Sequence, residues 1–217
     1  MNEQETARGK SITSAIKSDA VSMIKEYIEF GVDLALEEGT LKDIPIVGGV
    51  VGVFCALGSV KDLIFSSKLV RFLNGLSEVP LEKRQAMINK LNADENFAGK
   101  TGTALIEILD RMESEIKPEL AAKCFAAYAE GDISFIQLRR MLFALEKVPT
   151  FEIVKLEKFS EGANGKMEQA TVLSYVNAGL AMNNGGLDGG SFIPTELCTL
   201  FISSGVLSNI HPSNRVM

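Results

Sequence analysis

The sequence predicts a mainly α fold, in which a multi-helix domain is followed by a small winged-helix-like α+β module. Two observations support this fold class. Apolar residues recur at three- and four-residue steps along most of the 217-residue chain, which is the spacing of amphipathic helices. After Pro149 the pattern changes to a helix, a hairpin and a short helix. We therefore expect an N-terminal arm with an amphipathic helix over 1–40, a helical domain over 41–148, and the winged-helix-like module with a polar tail over 149–217.

The N-terminal region is predicted to start with a disordered polar arm over 1–12. A helix capped near Ser14 follows, with apolar residues that recur from Ile16 to Leu34, and Gly39 ends it. The polar start lacks the apolar segment that secretion signals carry, so we expect no cleavable signal.

The run 44–60 carries no charged residue and contains four glycines. Gly48, Gly52 and Ala56 are spaced by four, so on a helix they form a smooth strip along which a second backbone can approach closely. The run only just reaches the roughly 17 residues that a membrane-crossing helix needs. We therefore expect neighbouring helices of the chain to shield the run, with contact between this strip and a membrane as the alternative.

Prolines and glycines are predicted to set the ends of the later helices. Pro80 opens a charged helix, Pro118 opens another, and Gly131 closes the latter. Asp132 is predicted to cap the following helix, which Pro149 stops. Apolar spacing alone predicts helices over 61–76 and 103–117, and the helix after Asp132 is expected to turn Phe135, Leu138, Leu142 and Leu145 inward.

The C-terminal module is marked by its turn residues. Asn-Gly at 184–185 and Asp-Gly at 188–189 tolerate the positive φ angles that hairpin turns require. Residues 191–193 then supply the return strand, and Pro194 begins the last helix. Winged helices often place a helix in the DNA major groove, but the region 150–217 holds four Lys and Arg against six Asp and Glu. The charge therefore favours a module that contacts proteins.

No catalytic, cofactor-binding or metal-binding constellation is predicted. The only histidine, His211, lies in the polar tail, and Cys55, Cys124 and Cys198 are far apart in apolar surroundings. Such cysteines are typical of reduced, buried thiols in a cytoplasmic protein. The glycines of 48–52 match neither the dinucleotide fingerprint nor the phosphate-binding loop. We therefore predict no cofactor, no metal and no enzymatic activity.

The overall charge bears on the partners. The formal net charge is −6, with a pI near 5.0 and a mean hydropathy of +0.15. Nucleic-acid binding needs clustered Lys and Arg, so this balance argues against it. A protein partner or self-association is predicted, a membrane is the alternative partner, and the sequence leaves small molecules open. The expected location is the cytoplasm, with peripheral attachment to or insertion in the inner membrane as the alternative.

Several short motifs carry a family resemblance. They are Ile-Pro-Ile-Val-Gly at 44–48, Lys-Asp-Leu-Ile-Phe at 61–65, Lys-Leu-Val-Arg-Phe-Leu at 68–73, Lys-Pro-Glu-Leu at 117–120 and Glu-Gly-Asp-Ile at 130–133. Over about 40–210 the chain resembles, through these motifs, a group of uncharacterised bacterial proteins of the abortive-infection alpha type. The resemblance implies a bacterial or prophage-linked protein that acts in phage defence or membrane-proximal stress, and it brings no catalytic residues with it.

These observations predict a non-enzymatic bacterial interaction protein, a phage-defence or prophage-linked component that acts through protein–protein contacts. One alternative is a membrane-associated or membrane-disrupting effector that inserts 44–60. A second alternative is a DNA-binding regulator that uses the winged-helix-like module.

Overall fold

The computed structural model describes residues 3–22, 24, 60–94, 100–113, 116–162, 167–185 and 189–208. The chain divides into two compact units, Met1–Asp132 and Ile133–Met217. In the described ranges the fold is mainly helical with one two-stranded antiparallel sheet, in agreement with the mainly α part of the predicted fold class. The division falls earlier than the predicted boundary at 148/149. The helix just after the division packs on later helices of the second unit, which explains why it belongs there.

The first unit contains five described helices and a short 3-10 turn. Two pairings dominate its packing, since α1 packs on α4 and α2 packs on α5. Edge-to-face contact between Phe72 and Phe125, with ring centroids 5.6 Å apart, joins the second pair. The elements are α1 (Glu3–Ile16), the 3-10 turn (Asp19–Val21), α2 (Val60–Gly75), α3 (Leu81–Ala93), α4 (Thr101–Arg111) and α5 (Lys117–Glu130).

Helix α1 corrects the prediction of a disordered arm over 1–12. Its support is tertiary: Ile12 and Ile16 are fully buried, and α1 meets α4 at two glycines. A Cβ added to Gly102 would lie 2.7 Å from the Cα of Gly9, so the two backbones touch. The helix predicted from Ser14 onward is also wrong at its start, because α1 already ends at Ile16; its predicted part beyond residue 24 lies outside the described residues.

A buried arginine holds the end of α1. The side chain of Arg84, on α3, is fully buried and donates hydrogen bonds to three backbone oxygens. Its Nη1 lies 2.6 Å from the oxygen of Ile16 and 2.9 Å from that of Ser18, while its Nε lies 2.9 Å from that of Val79. Carbonyls at a helix end lack intrahelical donors, so the guanidinium satisfies the oxygen of Ile16. The oxygen of Ser18 also accepts from the N–H of Val21, at 3.4 Å, and the guanidinium is its second donor.

Prolines and glycines mark the starts and ends of the helices largely as predicted. Pro80 is the N-cap of α3, and Pro118 lies in the first turn of α5. Gly131 ends α5 with a left-handed φ of 90°. The helix predicted over 103–117 runs over Thr101–Arg111 instead, because the chain becomes extended at Met112, whose N–H caps the helix on the carbonyl of Leu109.

The second unit combines helices with a hairpin. The hairpin is confirmed, with Met182 paired to Ile193 in an antiparallel register. Pro194, predicted to begin the last helix, ends β2 instead, and Thr195 is the N-cap of that helix. Phe159 and Tyr175 pack in the core with ring centroids 5.1 Å apart. The elements are α6 (Phe135–Lys147), α7 (Thr150–Ile153), α8 (Leu156–Ser160), α9 (Gln169–Asn177), β1 (Ala181–Asn183), β2 (Phe192–Pro194) and α10 (Glu196–Ser203).

The predicted cap of α6 is wrong. Ser134, not Asp132, is the N-cap: its hydroxyl accepts from the N–H of Gln137, and the Gln137 side chain accepts from the N–H of Ser134. This reciprocal pair is a capping box. The N–H of Asp132 is committed to the carbonyl of Ala127, 3.0 Å away, and closes the C-terminal cap of α5 around Gly131. Asp132 therefore belongs to the end of one helix and not to the start of the next.

Candidate functional site

A groove of about 1040 Å³ lies on the surface of the second unit. One wall is a face of α6. The other wall is formed by the end of α9, by Met182 of β1 and by the first residues of α10. Because both walls belong to one compact unit, the groove is a feature of that unit alone.

Helix α6 presents two different apolar faces. Leu138, Met141 and Leu145 are buried and form the face that packs in the unit. Ile136 and Phe143 point into the groove instead and are 64% and 49% exposed. Fully burying a side chain of this size stabilises by about 1.5–3 kcal/mol, so a partner that covers Ile136 and Phe143 gains free energy from their burial.

The opposite wall is held by hydrogen bonds at the end of α9. Gly179 has a left-handed φ of 75°, and the N–H of Leu180 reaches the carbonyl of Tyr175 at 2.8 Å, which makes a Schellman cap. The Thr195 hydroxyl donates to the Gly179 carbonyl at 2.7 Å and accepts from the N–H of Cys198 at 3.3 Å. One threonine thus fixes the start of α10 against the end of α9. Hydrogen bonds therefore fix this wall of the groove in place.

The groove is more basic than the chain as a whole. Arg139 and Arg140 lie on the α6 wall and are exposed, and Glu196 is the acidic residue opposite them. The guanidinium of Arg139 lies 6.0 Å from the centroid of the Phe135 ring. Within the described ranges, no ion pair engages either arginine. The α6 wall is therefore the basic side of the groove.

A polar cluster lies in the core of the same unit. The Tyr175 hydroxyl donates to the backbone oxygen of Glu152 at 2.6 Å. Burial raises the pKa of Tyr175, with the nearby Glu152 and Cys198 adding to the rise, and burial raises the pKa of Cys198 to about 11. Burial also raises the pKa of Cys124 in the first unit. These two thiols are protonated at neutral pH, and the protonated form is a poor nucleophile.

The residues singled out from the sequence fall mostly elsewhere. Gly48, Gly52 and Ala56, together with Cys55 and His211, lie outside the described residues. Across the described ranges, no three His, Cys, Asp or Glu side chains come together as a metal site. In the same ranges no helix has both the length and the apolar character needed to cross a bilayer.

The groove residues were not predicted. The apolar spacing of α6 predicted only its inward stripe, of which Leu138, Leu142 and Leu145 are buried and Phe135 is half-buried. A signal was present, because Ile136 and Phe143 are out of phase with that stripe. The spacing of seven that relates them marks a second apolar face on one helix. Met182 gave no such signal, since its exposure depends on the hairpin's place in the unit.

The chain matches no protein-family model, no curated protein and no solved structure. The functional interpretation of the groove therefore rests on its own geometry, exposure and charge.

Proposed function

We propose that this chain is a non-enzymatic interaction protein that binds a partner protein through the groove of its second unit. The observation that carries the proposal is the exposure of Ile136, Phe143 and Met182 around Arg139 and Arg140. Clustered apolar side chains rimmed by charges are characteristic of protein-binding surfaces. Arginine and aromatic residues are also the side chains that contribute most to the affinity of such interfaces.

The second unit is, in this proposal, a winged-helix-like module that serves protein contact. Its order of helix α9, antiparallel hairpin and helix α10 supports that interpretation. DNA binding is disfavoured because α9, the helix before the hairpin, carries neither Lys nor Arg, and neither does the stretch 178–197. Failure of the chain to retain duplex DNA on filters at low salt would agree with this assignment.

The resemblance to abortive-infection alpha-type proteins adds a cellular role to the proposal. It supports a bacterial, cytoplasmic component of phage defence whose output depends on binding another protein. The apolar groove supplies the contact surface that such a component needs.

Site-specific photocrosslinking tests the proposal with a matched control. Phe143 lies in the groove and Phe151 outside it, and both are exposed phenylalanines of the second unit. We expect Phe143→p-benzoylphenylalanine to form a discrete adduct with one bacterial protein under illumination in cells. Phe151→p-benzoylphenylalanine should not form it. The same adducts from both positions, or none from position 143, would refute binding through the groove.

Membrane association is the second candidate function, and one observation favours it. The first turns of α2 expose Val60, Leu63 and Ile64. Val60 ends the uncharged run 44–60, and Leu63 and Ile64 follow it after Lys61 and Asp62. Apolar side chains next to such a run are suited to insertion at a lipid interface. In this case the chain should float with lipid vesicles, and Leu63→Asp should abolish flotation.

A further inference from the structure

The apolar residues of the α6 wall lie on either side of a basic centre. Ile136 and Phe143 are separated by two helical turns, or about 10 Å along the axis. Arg139 and Arg140 lie between them on the same wall. The wall therefore presents apolar, basic and apolar features in that order along α6.

We propose that the occupant of the groove is an acidic amphipathic helix of a partner protein, in which two apolar residues flank a central pair of carboxylates. This inference rests on the proposed protein-binding function. A helix carries side chains of positions i and i+7 on one face, two turns apart, so its apolar residues match the separation of Ile136 and Phe143. Its i+3 and i+4 residues then lie beside Arg139 and Arg140.

Charge selects the acidic occupant over a basic one. A guanidinium pairs with a carboxylate through two parallel hydrogen bonds, which gives orientation as well as attraction. Glu196, on the opposite wall, repels acidic side chains, so the carboxylates of the occupant face α6. Exposed ion pairs add modest affinity, whereas the apolar residues supply most of it. The arginines therefore set specificity and register.

Shape disfavours the face of a lipid bilayer as the occupant. A concave groove is a poor match for that broad face, whereas it suits a single helix. A helical segment of a partner protein is the occupant that the shape of the groove and its two arginines favour.

Two labelled synthetic helical peptides, titrated with the full chain, test whether the groove prefers an acidic helix. Both carry leucine at the two flanking positions, and they differ only in having two glutamates or two lysines at the centre. By fluorescence anisotropy, we expect the glutamate peptide to bind about tenfold more tightly than the lysine peptide, which corresponds to two exposed ion pairs.

The double variant Arg139→Glu, Arg140→Glu should reverse this preference. Phe143→Asp should abolish binding, and Phe151→Asp should leave it unchanged; circular dichroism of each variant verifies folding.

The outcomes separate this inference from the proposed function. If both peptides bind equally and Phe143→Asp abolishes this binding, the preference for an acidic helix is overturned, but protein binding by the groove is supported. Binding of neither peptide overturns the inference, while a specific crosslink from position 143 would still support the proposed function. Arginine-dependent binding to phosphatidylglycerol vesicles without binding of the glutamate peptide overturns it in favour of lipid. A dimer in sedimentation that Phe143→Asp dissociates overturns it in favour of a second copy.

Discussion

Arg84 places a cation in a site without solvent exposure, surrounded mainly by backbone oxygens. Burial lowers its pKa below the ordinary value, while the nearby Asp19 acts in the opposite direction. An arginine tolerates such a shift because its ordinary pKa is far above neutrality. Arg84 therefore stays charged, and its guanidinium donates hydrogen bonds to the carbonyls of Ile16, Ser18 and Val79.

Replacing this arginine should weaken the first unit. We expect Arg84→Met to lower the free energy of unfolding by about 3 kcal/mol, because three hydrogen bonds from a buried guanidinium to backbone oxygens are lost. Arg139→Met, at an exposed arginine, should change it by less than about 0.5 kcal/mol. Urea unfolding followed by circular dichroism measures both. Similar midpoints for the two variants would show that the buried guanidinium does not hold the end of α1.

The thiol of Cys198 should make stability depend on alkaline pH. Burial raises its pKa from an ordinary 9.0 to about 11, so the folded chain keeps a proton that the unfolded chain releases. This contribution is fully present below pH 9 and is lost as the pH rises towards 11. We expect Cys198→Ala to show a shallower decline of stability than the unmodified chain over this range. Parallel pH profiles in urea unfolding would contradict the assignment.

At the scale of elements, the crossing of α1 and α4 depends on small residues. Alanine is a better helix former than glycine by about 1 kcal/mol, so helix propensity alone predicts that Gly102→Ala stabilises the chain. The added Cβ would, however, enter the backbone of Gly9. Overpacking of this kind costs about 1–3 kcal/mol, so we expect net destabilisation. Glu107→Ala, at an exposed site on α4, is the control, and a raised melting temperature for Gly102→Ala would refute the close crossing.

The start of α6 offers a direct comparison between the predicted and the observed cap. We expect Ser134→Ala to cost about 1 kcal/mol, because the N–H of Gln137 loses its acceptor. Asp132→Ala should cost much less, since only the backbone of Asp132 takes part in the cap of α5. Thermal unfolding of the two variants measures the difference. The reverse order would restore Asp132 as the cap.

Local chemistry made some elements predictable and left others out of reach. The ends at Pro118 and Gly131 and the hairpin follow from backbone constraints that the sequence states directly. Helix α1 was missed because its polar sequence depends on contact with α4, which no local pattern reveals. The groove was missed for the same reason: the exposure of Phe143 is set by how α6 packs on α9 and α10.

For the whole molecule, the two candidate functions rest on different units. Protein binding depends on Phe143 in the second unit, whereas membrane association depends on Leu63 and Ile64 in the first. The first unit also contains the uncharged run 44–60, whose strip Gly48, Gly52 and Ala56 is the predicted contact for lipid or for a second helix. A substitution in one unit therefore distinguishes the functions if it spares the other.

We expect Leu63→Asp to leave the photocrosslink from position 143 intact, because the charge is added to the first unit and the groove belongs to the second. Phe143→Asp should remove protection against phage in bacteria that carry the chain, and Phe151→Asp should retain it. Plaque counts and membrane fractionation of the same cells measure these effects together. Loss of both protection and membrane association in Leu63→Asp, with protection unaffected by Phe143→Asp, would instead assign the function to lipid contact at the start of α2.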